Sequence, residues 1–227
     1  ARAAANAYLA VDHENRIVVQ CPFVEMGQGI YTGIAMLVSE ELLVDSAHIR
    51  VEHAPPGEAY RLQYGGTLRF TGGSQSMRSL YQPVRTLAAT YLAMLKQAAS
   101  KLTGKPLDRL SVTDGHILDQ DEGRAYPYAE LAPLASTLAV PQVRPKQDGF
   151  RVIGQPERRI DVAEKSSGAA VYGIDAGPPD CLSASIRHAP TVKPSGYAID
   201  NRAVIERRFP TALIVPLENA VAMVAPS

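Results

Sequence analysis

Residues 16–43 read RIVVQCPFVEMGQGIYTGIAMLVSEELL, and a change of period inside this stretch decides the fold. Arg16-Ile17-Val18-Val19-Gln20 is a strand-like apolar run. Beyond Gly27-Gln28-Gly29 the spacing becomes helical. Ile30, Ile34, Leu37, Val38 and Leu42 recur at three- and four-residue intervals, and Met36 and Leu43 widen the stripe. Upstream, Ala7-Tyr8-Leu9-Ala10-Val11 is a second strand-like run. The turn residues Asp12-His13-Glu14-Asn15 join the two runs into a hairpin. Downstream, Ile49-Arg50-Val51-Glu52 alternates like a strand and stops at Pro55-Pro56.

A Gly-rich connection follows, with Gly65-Gly66 and then Gly72-Gly73-Ser74. The stripe Leu80, Val84, Leu87, Tyr91, Met94, Leu95 predicts a second helix from near Ser76 to about Lys101, with Pro83 in its first turn or at a kink. Ser111 to Ala125 reads as another hairpin, with Asp114-Gly115 and Glu122-Gly123 as turn signals. Tyr128 to Leu138 reads as a short helix interrupted by Pro133. Pro141 to Gly149 has the composition of a linker. Beyond it come short β-rich runs, Ala169-Ala170-Val171-Tyr172, Leu182-Ser183-Ala184-Ser185-Ile186 and Leu213-Ile214-Val215. Pro178-Pro179, Pro190, Pro194-Ser195-Gly196 and Pro216 punctuate them. The expected class is α+β: a module over residues 1–150, then a smaller β-rich module over 151–227.

Composition removes several functions. The chain has 227 residues, and 23 Lys plus Arg balance 23 Asp plus Glu, so no basic field exists for a nucleic-acid partner. No stretch approaches the roughly 18 unbroken apolar residues of a membrane span. Two cysteines, Cys21 and Cys181, exclude a disulfide-rich scaffold, a protein-held zinc cluster and a Cys-ligated iron–sulfur centre, and leave a single bridge open. The plainer reading makes both buried small hydrophobes. Five scattered histidines have no metal-ligand spacing, so no metal-binding residue is expected. Ser74 lacks the flanks of a nucleophile elbow. Glu40-Glu41 reads as a solvated helix face, and Arg158-Arg159 and Arg207-Arg208 are too short for a nucleic-acid site.

Two places share one design, a Gly-rich turn feeding a helix. At Met26-Gly27-Gln28-Gly29 the glycines allow backbone N–H groups close to a ligand, and the helix start offers unpaired donors and partial positive charge. At Thr71-Gly72-Gly73-Ser74-Gln75-Ser76 the same geometry is joined by hydroxyls. A tight turn with a Ser cap is the plain alternative there. Two such turns, joined by one helix and one strand, can converge on one phosphate-bearing ligand. A dinucleotide-dependent oxidoreductase is the rival, because Gly27-x-Gly29-x-x-x-Gly33 follows a strand and Glu52 ends the next one about 20 residues on. Against it stand the long spacing to Gly33, the intrusion of Pro22 and Glu25, and a strand that belongs to an antiparallel hairpin.

Taken together, Glu25-Met26-Gly27-Gln28-Gly29, Ser39-Glu40-Glu41-Leu42, Val51-Glu52-His53-Ala54-Pro55 and Thr71-Gly72-Gly73-Ser74-Gln75-Ser76 resemble the large subunit of the molybdenum hydroxylases, the xanthine dehydrogenase and aldehyde oxidase superfamily. Tyr81-Gln82-Pro83-Val84-Arg85 and Tyr128-Ala129-Glu130-Leu131-Ala132 fit the isoquinoline 1-oxidoreductase β-subunit type. Arg159-Ile160-Asp161-Val162-Ala163-Glu164-Lys165, Gly168 to Asp175 and Val221 to Ala225 resemble the family's α/β hammerhead domain. That domain follows the Met-Gly-Gln-Gly segment here, as in the isoquinoline type.

The resemblance implies a molybdopterin cofactor, in bacteria usually the cytosine dinucleotide form, whose dithiolene holds the molybdenum. Its pterin contact would fall on Gln28 between Gly27 and Gly29. Gly72, Gly73, Ser74 and Ser76 would meet pterin or phosphate groups. It also implies hydroxylation of an N-heterocycle or aldehyde with oxygen from water, and a partner small subunit carrying [2Fe–2S] clusters. The family's base glutamate lies in a Gly-rich motif that this sequence lacks. The expectation is an N-terminal fragment without catalytic residues, inactive alone, and periplasmic rather than cytoplasmic. The alternative from another class is a non-catalytic binding or assembly module that kept the fold and lost the cofactor.

Overall fold

The computed structural model describes residues 2–4, 6–60, 70–190 and 198–226. Gly65-Gly66 and Pro194-Ser195-Gly196 lie outside the described residues. The chain forms two compact units, Ala1–Gly168 and Ala169–Ser227.

In the first unit, strands β1 (Arg2–Ala4), β2 (Leu9–Asp12) and β3 (Ile17–Cys21) run antiparallel in sequence order, the β2–β3 hairpin pairing Leu9 with Val19. Helix α1 (Ile30–Leu42) then carries the chain to β4 (Ile49–His53), which lies parallel to β3 with Ile17 opposite Ile49 and Cys21 opposite His53. β3 is thus both the second arm of a hairpin and the first strand of a βαβ unit, which corrects the expectation that a hairpin strand excludes one. The sheet is mixed, in the order β1-β2-β3-β4, and is not doubly wound. Helix α2 (Gln75–Thr103) packs on α1, with Pro83 inside it. The β-meander β5 (Leu110–Thr113), β6 (His116–Asp119) and β7 (Ala125–Pro127) follows, then α3 (Tyr128–Ala135). The predicted apolar stripes meet in one core: Leu9, Val11, Ile17, Val19 and Cys21 from the sheet, Ile34, Val38 and Leu42 from α1, and Leu80, Val84, Tyr91 and Leu95 from α2. Burial of such a stripe outweighs the weak intrinsic stability of a helix the length of α1.

Glu40 and Glu41 are not on a solvated face. They are 0% and 4% exposed, because α1 is covered on its outer side by residues 146–153. Glu40 accepts Lys146 Nζ at 2.6 Å and the N–H groups of Arg151 and Val152 at 2.8 and 2.7 Å. Glu41 accepts Arg85 Nε at 2.8 Å, and the Arg85 guanidinium, itself 3% exposed, also donates to the Lys146 carbonyl. A desolvated carboxylate is tolerated only with such a donor set. The stretch read as a linker is therefore tied to the first unit, and the unit boundary falls at Gly168, beyond the expected 150. A short helix α4 (Val162–Ser167) closes this unit. Arg159 to Lys165 thus belongs with the first unit and not with the second module.

The second unit contains β8 (Ser183–His188), α5 (Arg202–Arg208), β9 (Leu213–Pro216) and β10 (Ala220–Ala225), with an antiparallel sheet in the order β8-β10-β9. Ala169 to Tyr172 is not a strand. It leads into a turn in which Asp175 N–H donates to the Tyr172 carbonyl at 2.9 Å and Asp175 Oδ2 accepts from Tyr172 N–H. Cys21 is buried in the core and Cys181 is exposed, so only Cys21 is a core residue.

Burial pushes the Glu40 carboxyl upward, but Lys146 and the backbone donors outweigh it and hold the group at about 2, against an ordinary 4.5. The unfolded chain therefore binds more protons than the native chain between these values. The pair's stabilisation is present above 4.5 and disappears as pH falls toward 2, an effect on the order of 3 kcal/mol. Urea midpoints measured from pH 5 to pH 2 are expected to fall more steeply for the wild type than for Glu40→Gln. Equal slopes would remove Glu40 as the source.

Candidate functional site

Helix α1 opens on a turn in which Gly27 and Gly29 take φ of 105° and 82°, values that disfavour any side chain. A Cβ at either position would meet nothing within 4 Å, so the glycines serve the backbone conformation and leave open space above the turn. The helix mouth itself is filled. Glu25 Oε1 accepts the N–H groups of Gly27 and Gly29 at 2.8 and 3.1 Å, and Oε2 accepts that of Tyr31 at 3.2 Å. Burial raises the Glu25 carboxyl, but these three N–H groups and Lys165 more than reverse that and hold it below its ordinary range. The expected unpaired donors at this turn are thus taken by the protein's own carboxylate.

The second turn differs. Ser74 takes a left-handed φ of 55° and makes no side-chain cap on α2, so the Ser-cap alternative does not hold. Gln75 N–H turns back to the Gly72 carbonyl at 3.1 Å, and Thr71 Oγ1 accepts Val24 N–H at 3.0 Å, which ties the second turn to the segment between β3 and the first. The two turns face one cleft of about 380 Å³, lined by Met26, Gln28, Gly29, Thr71, Gly72, Ser74, Ser76 and Met77. Gly33, the third glycine of the rejected fingerprint, lies inside α1, where a Cβ would come 2.6 Å from Met77 Cε of α2.

Five of the seven residues singled out from the sequence line this cleft: Gln28, Gly29, Gly72, Ser74 and Ser76. Gly27 and Gly73 do not line it and shape its two turns through positive φ. Gln28 is exposed, and its amide bridges its own loop, accepting Met26 N–H at 2.6 Å and donating to the Val24 carbonyl at 2.8 Å. One Nε2 hydrogen and one Oε1 lone pair remain for a ligand. Glu25 was legible in the sequence only as an intrusion between strand and turn. The signal for it is a carboxylate two residues ahead of a Gly-x-Gly helix start, a spacing that lets it fold back onto the N–H groups. Among the described residues no group of three His, Cys, Asp or Glu side chains could hold a metal ion, and no helix is long and apolar enough to cross a membrane.

A family profile described as a molybdopterin cofactor-binding domain matches residues 1–171. The chain is 25% identical over 240 residues to the beta subunit of isoquinoline 1-oxidoreductase from Brevundimonas diminuta, covering 87% of this chain and 30% of that protein. It is 26% identical over 188 residues to a subunit of nicotinate dehydrogenase from Pseudomonas putida, covering 81% of this chain and 15% of that protein. A membrane-bound aldehyde dehydrogenase [pyrroloquinoline-quinone] of Gluconacetobacter polyoxogenes is 25% identical over 207 residues, covering 87% of this chain and 25% of that protein. The chain therefore spans less than a third of the length of these curated relatives. Among solved structures, quinoline 2-oxidoreductase from Pseudomonas putida 86 overlaps with a TM-score of 0.41 at 17% identity, covering 55% of this chain and 15% of that one.

The different bonding of Glu25 and Gln28 predicts different stabilities. Glu25→Gln removes a charged acceptor shared by three N–H groups, a loss of about 2–3 kcal/mol. Gln28→Ala removes two exposed local bonds and is expected to cost less than about 1 kcal/mol. Chemical denaturation of both variants checks the ranking, and the reverse order would contradict this account of the turn.

Proposed function

This chain belongs to the molybdopterin cofactor-binding domain family, and we propose that its cleft holds the pterin and phosphate groups of that cofactor within a larger oxidoreductase. The carrying observation is that two Gly-rich helix starts, distant in sequence, line one cleft. The donor set fits the group. Gln28, Thr71, Ser74 and Ser76 offer amide and hydroxyl partners, the space above Gly27 and Gly29 is open, and the Ser74 hydroxyl is not used to cap α2. A protein-held metal centre is not required, since the cofactor's own dithiolene would hold the molybdenum, which would supply the redox chemistry when bound.

The two turns divide the work by charge. Glu25 already fills the mouth of α1, and a second anion there would face a carboxylate at close range. The cofactor's phosphate groups therefore belong at the mouth of α2, against the backbone of Gly72 and the side chains of Ser74 and Ser76. The neutral pterin edge belongs to the remaining donor and acceptor of Gln28 and to the open space over Gly29. Glu25 also weighs against the dinucleotide alternative, whose pyrophosphate would sit on the α1 mouth.

The finer features of the proposal rest on the isoquinoline-type resemblance. The cofactor is the cytosine dinucleotide form, and the substrate is an N-heterocycle or aldehyde hydroxylated with water-derived oxygen. The names of two relatives, an isoquinoline oxidoreductase and a nicotinate dehydrogenase, support the heterocycle. Both are named as subunits, which supports a partner, taken here as a [2Fe–2S] small subunit. The second unit serves as a hammerhead-like domain. A periplasmic location belongs to the same proposal.

Ser76→Asp tests the division directly. A carboxylate in the first turn of α2 favours the helix by a few tenths of a kcal/mol yet repels a bound phosphate. Protein purified from a molybdate-supplied host is expected to keep or raise its melting temperature while molybdenum and pterin per chain fall about tenfold or more, as for a loss above about 1.4 kcal/mol. Wild-type cofactor content in Ser76→Asp would overturn the placement. A folded wild type that carries no molybdenum or pterin would favour the non-catalytic module instead.

A further inference from the structure

Arg159 reaches the Gly27–Gly29 turn from the last segment of the first unit. Its Nη1 donates to the Gly27 carbonyl at 2.8 Å, and its Nη2 lies 3.4 Å from Glu25 Oε1. Its Nε and Nη2 also form a fork on the Asp161 carboxylate at 2.8 and 2.6 Å. Lys165 completes the group, with Nζ 2.5 Å from Asp161 Oδ2 and 3.9 Å from Glu25 Oε1. Ile160 N–H donates to the Thr32 hydroxyl at 3.2 Å and fixes this segment along the first turn of α1.

We propose that Arg159 is a positioning residue for the cofactor-binding turn, acting through Glu25 and the Gly27 carbonyl. This rests on the cofactor reading of the cleft. The turn's N–H groups donate to Glu25, and the Gly27 carbonyl needs a donor of its own. Arg159 supplies that donor and grips Glu25 with the same guanidinium. The N–H and the C=O of Gly27, the residue before Gln28, are both held in this way, and Gln28 is presented to the cleft on a fixed backbone. Only a planar fork reaches the carbonyl, Glu25 and Asp161 together, whereas an ammonium on a flexible stem can serve one or two of them.

The cluster also sets local charge. Glu25 and Asp161 are balanced by Arg159 and Lys165, so the rim beside the cleft is neutral. Loss of Arg159 leaves one uncompensated carboxylate near a cleft that takes an anionic ligand, which adds repulsion to a loosened turn.

Amide hydrogen exchange on the cofactor-free chain reads the positioning without reference to activity. In Arg159→Ala, a peptide covering residues 24–31 is expected to exchange about tenfold faster, the scale of a lost charged hydrogen bond. Peptides from the α2 core, residues 88–99, are expected to be unchanged. Arg159→Lys keeps the charge without the fork and is expected to leave most of the acceleration in place, which a purely electrostatic role would not. Molybdenum per chain, from a molybdate-supplied host, is expected to fall in both variants. Unchanged exchange over 24–31, equal acceleration in the α2 core, or full rescue by lysine would overturn the proposal. So would faster exchange with wild-type molybdenum content. If the wild type itself carries no molybdenum, the cofactor reading fails while the exchange result still decides whether Arg159 orders the turn.

Discussion

A carboxylate taken out of water must be given donors, and helix α1 is held at both ends by carboxylates that obey this constraint. At its start Glu25 gathers the N–H groups of Gly27, Gly29 and Tyr31. At its end Glu40 and Glu41 gather Lys146, Arg85 and the backbone of residues 151–152. None of these groups stabilises the fold merely by being buried, since desolvation opposes each one. What they supply is specificity of path. Residues 146–153 run along α1 and give the glutamates there their donors, and beyond them Arg159 reaches the helix mouth.

The same constraint distinguishes the two helix starts. Both are Gly-rich turns, and from composition alone they look equivalent. The mouth of α1 contains its own anion, whereas at that of α2, among the described residues, Ser74 makes no side-chain cap. Helix mouths attract negative charge, so the occupied one organises a loop and the open one can receive a ligand. One cleft thus combines a preset, neutral contact surface around Gln28 with a phosphate-compatible surface around Ser74 and Ser76.

Much of this was legible in the sequence, and the failures have physical reasons. The switch from period two to helical spacing at Gly29 located β3 and α1, and the stripe from Leu80 to Leu95 located α2, because burial on one face writes itself into residue spacing. Their shared design suggested a common ligand, and residues of both turns line one cleft. Glu40-Glu41 was misread because adjacent charges on a helix usually face water, and nothing local announces that a segment more than a hundred residues away will cover them. The linker reading of Pro141 to Gly149 failed for the same reason, since composition reports propensity and not a distant carboxylate. The parallel pairing of β3 with β4 was missed because a strand in a hairpin still has a free edge. Ala169 to Tyr172 has β-forming residues, yet the Asp175 turn claims its end.

The central claim is that the cofactor's phosphate sits at the mouth of α2 because Glu25 already occupies that of α1. The most direct measurement is a crystal structure of the cofactor-loaded protein, with the phosphorus atoms located relative to the two turns. The account predicts phosphate oxygens within hydrogen-bond distance of the Gly72–Ser76 segment, with Glu25 still bound to Gly27, Gly29 and Tyr31. A phosphate on the Gly27 and Gly29 N–H groups, with Glu25 displaced, would contradict it.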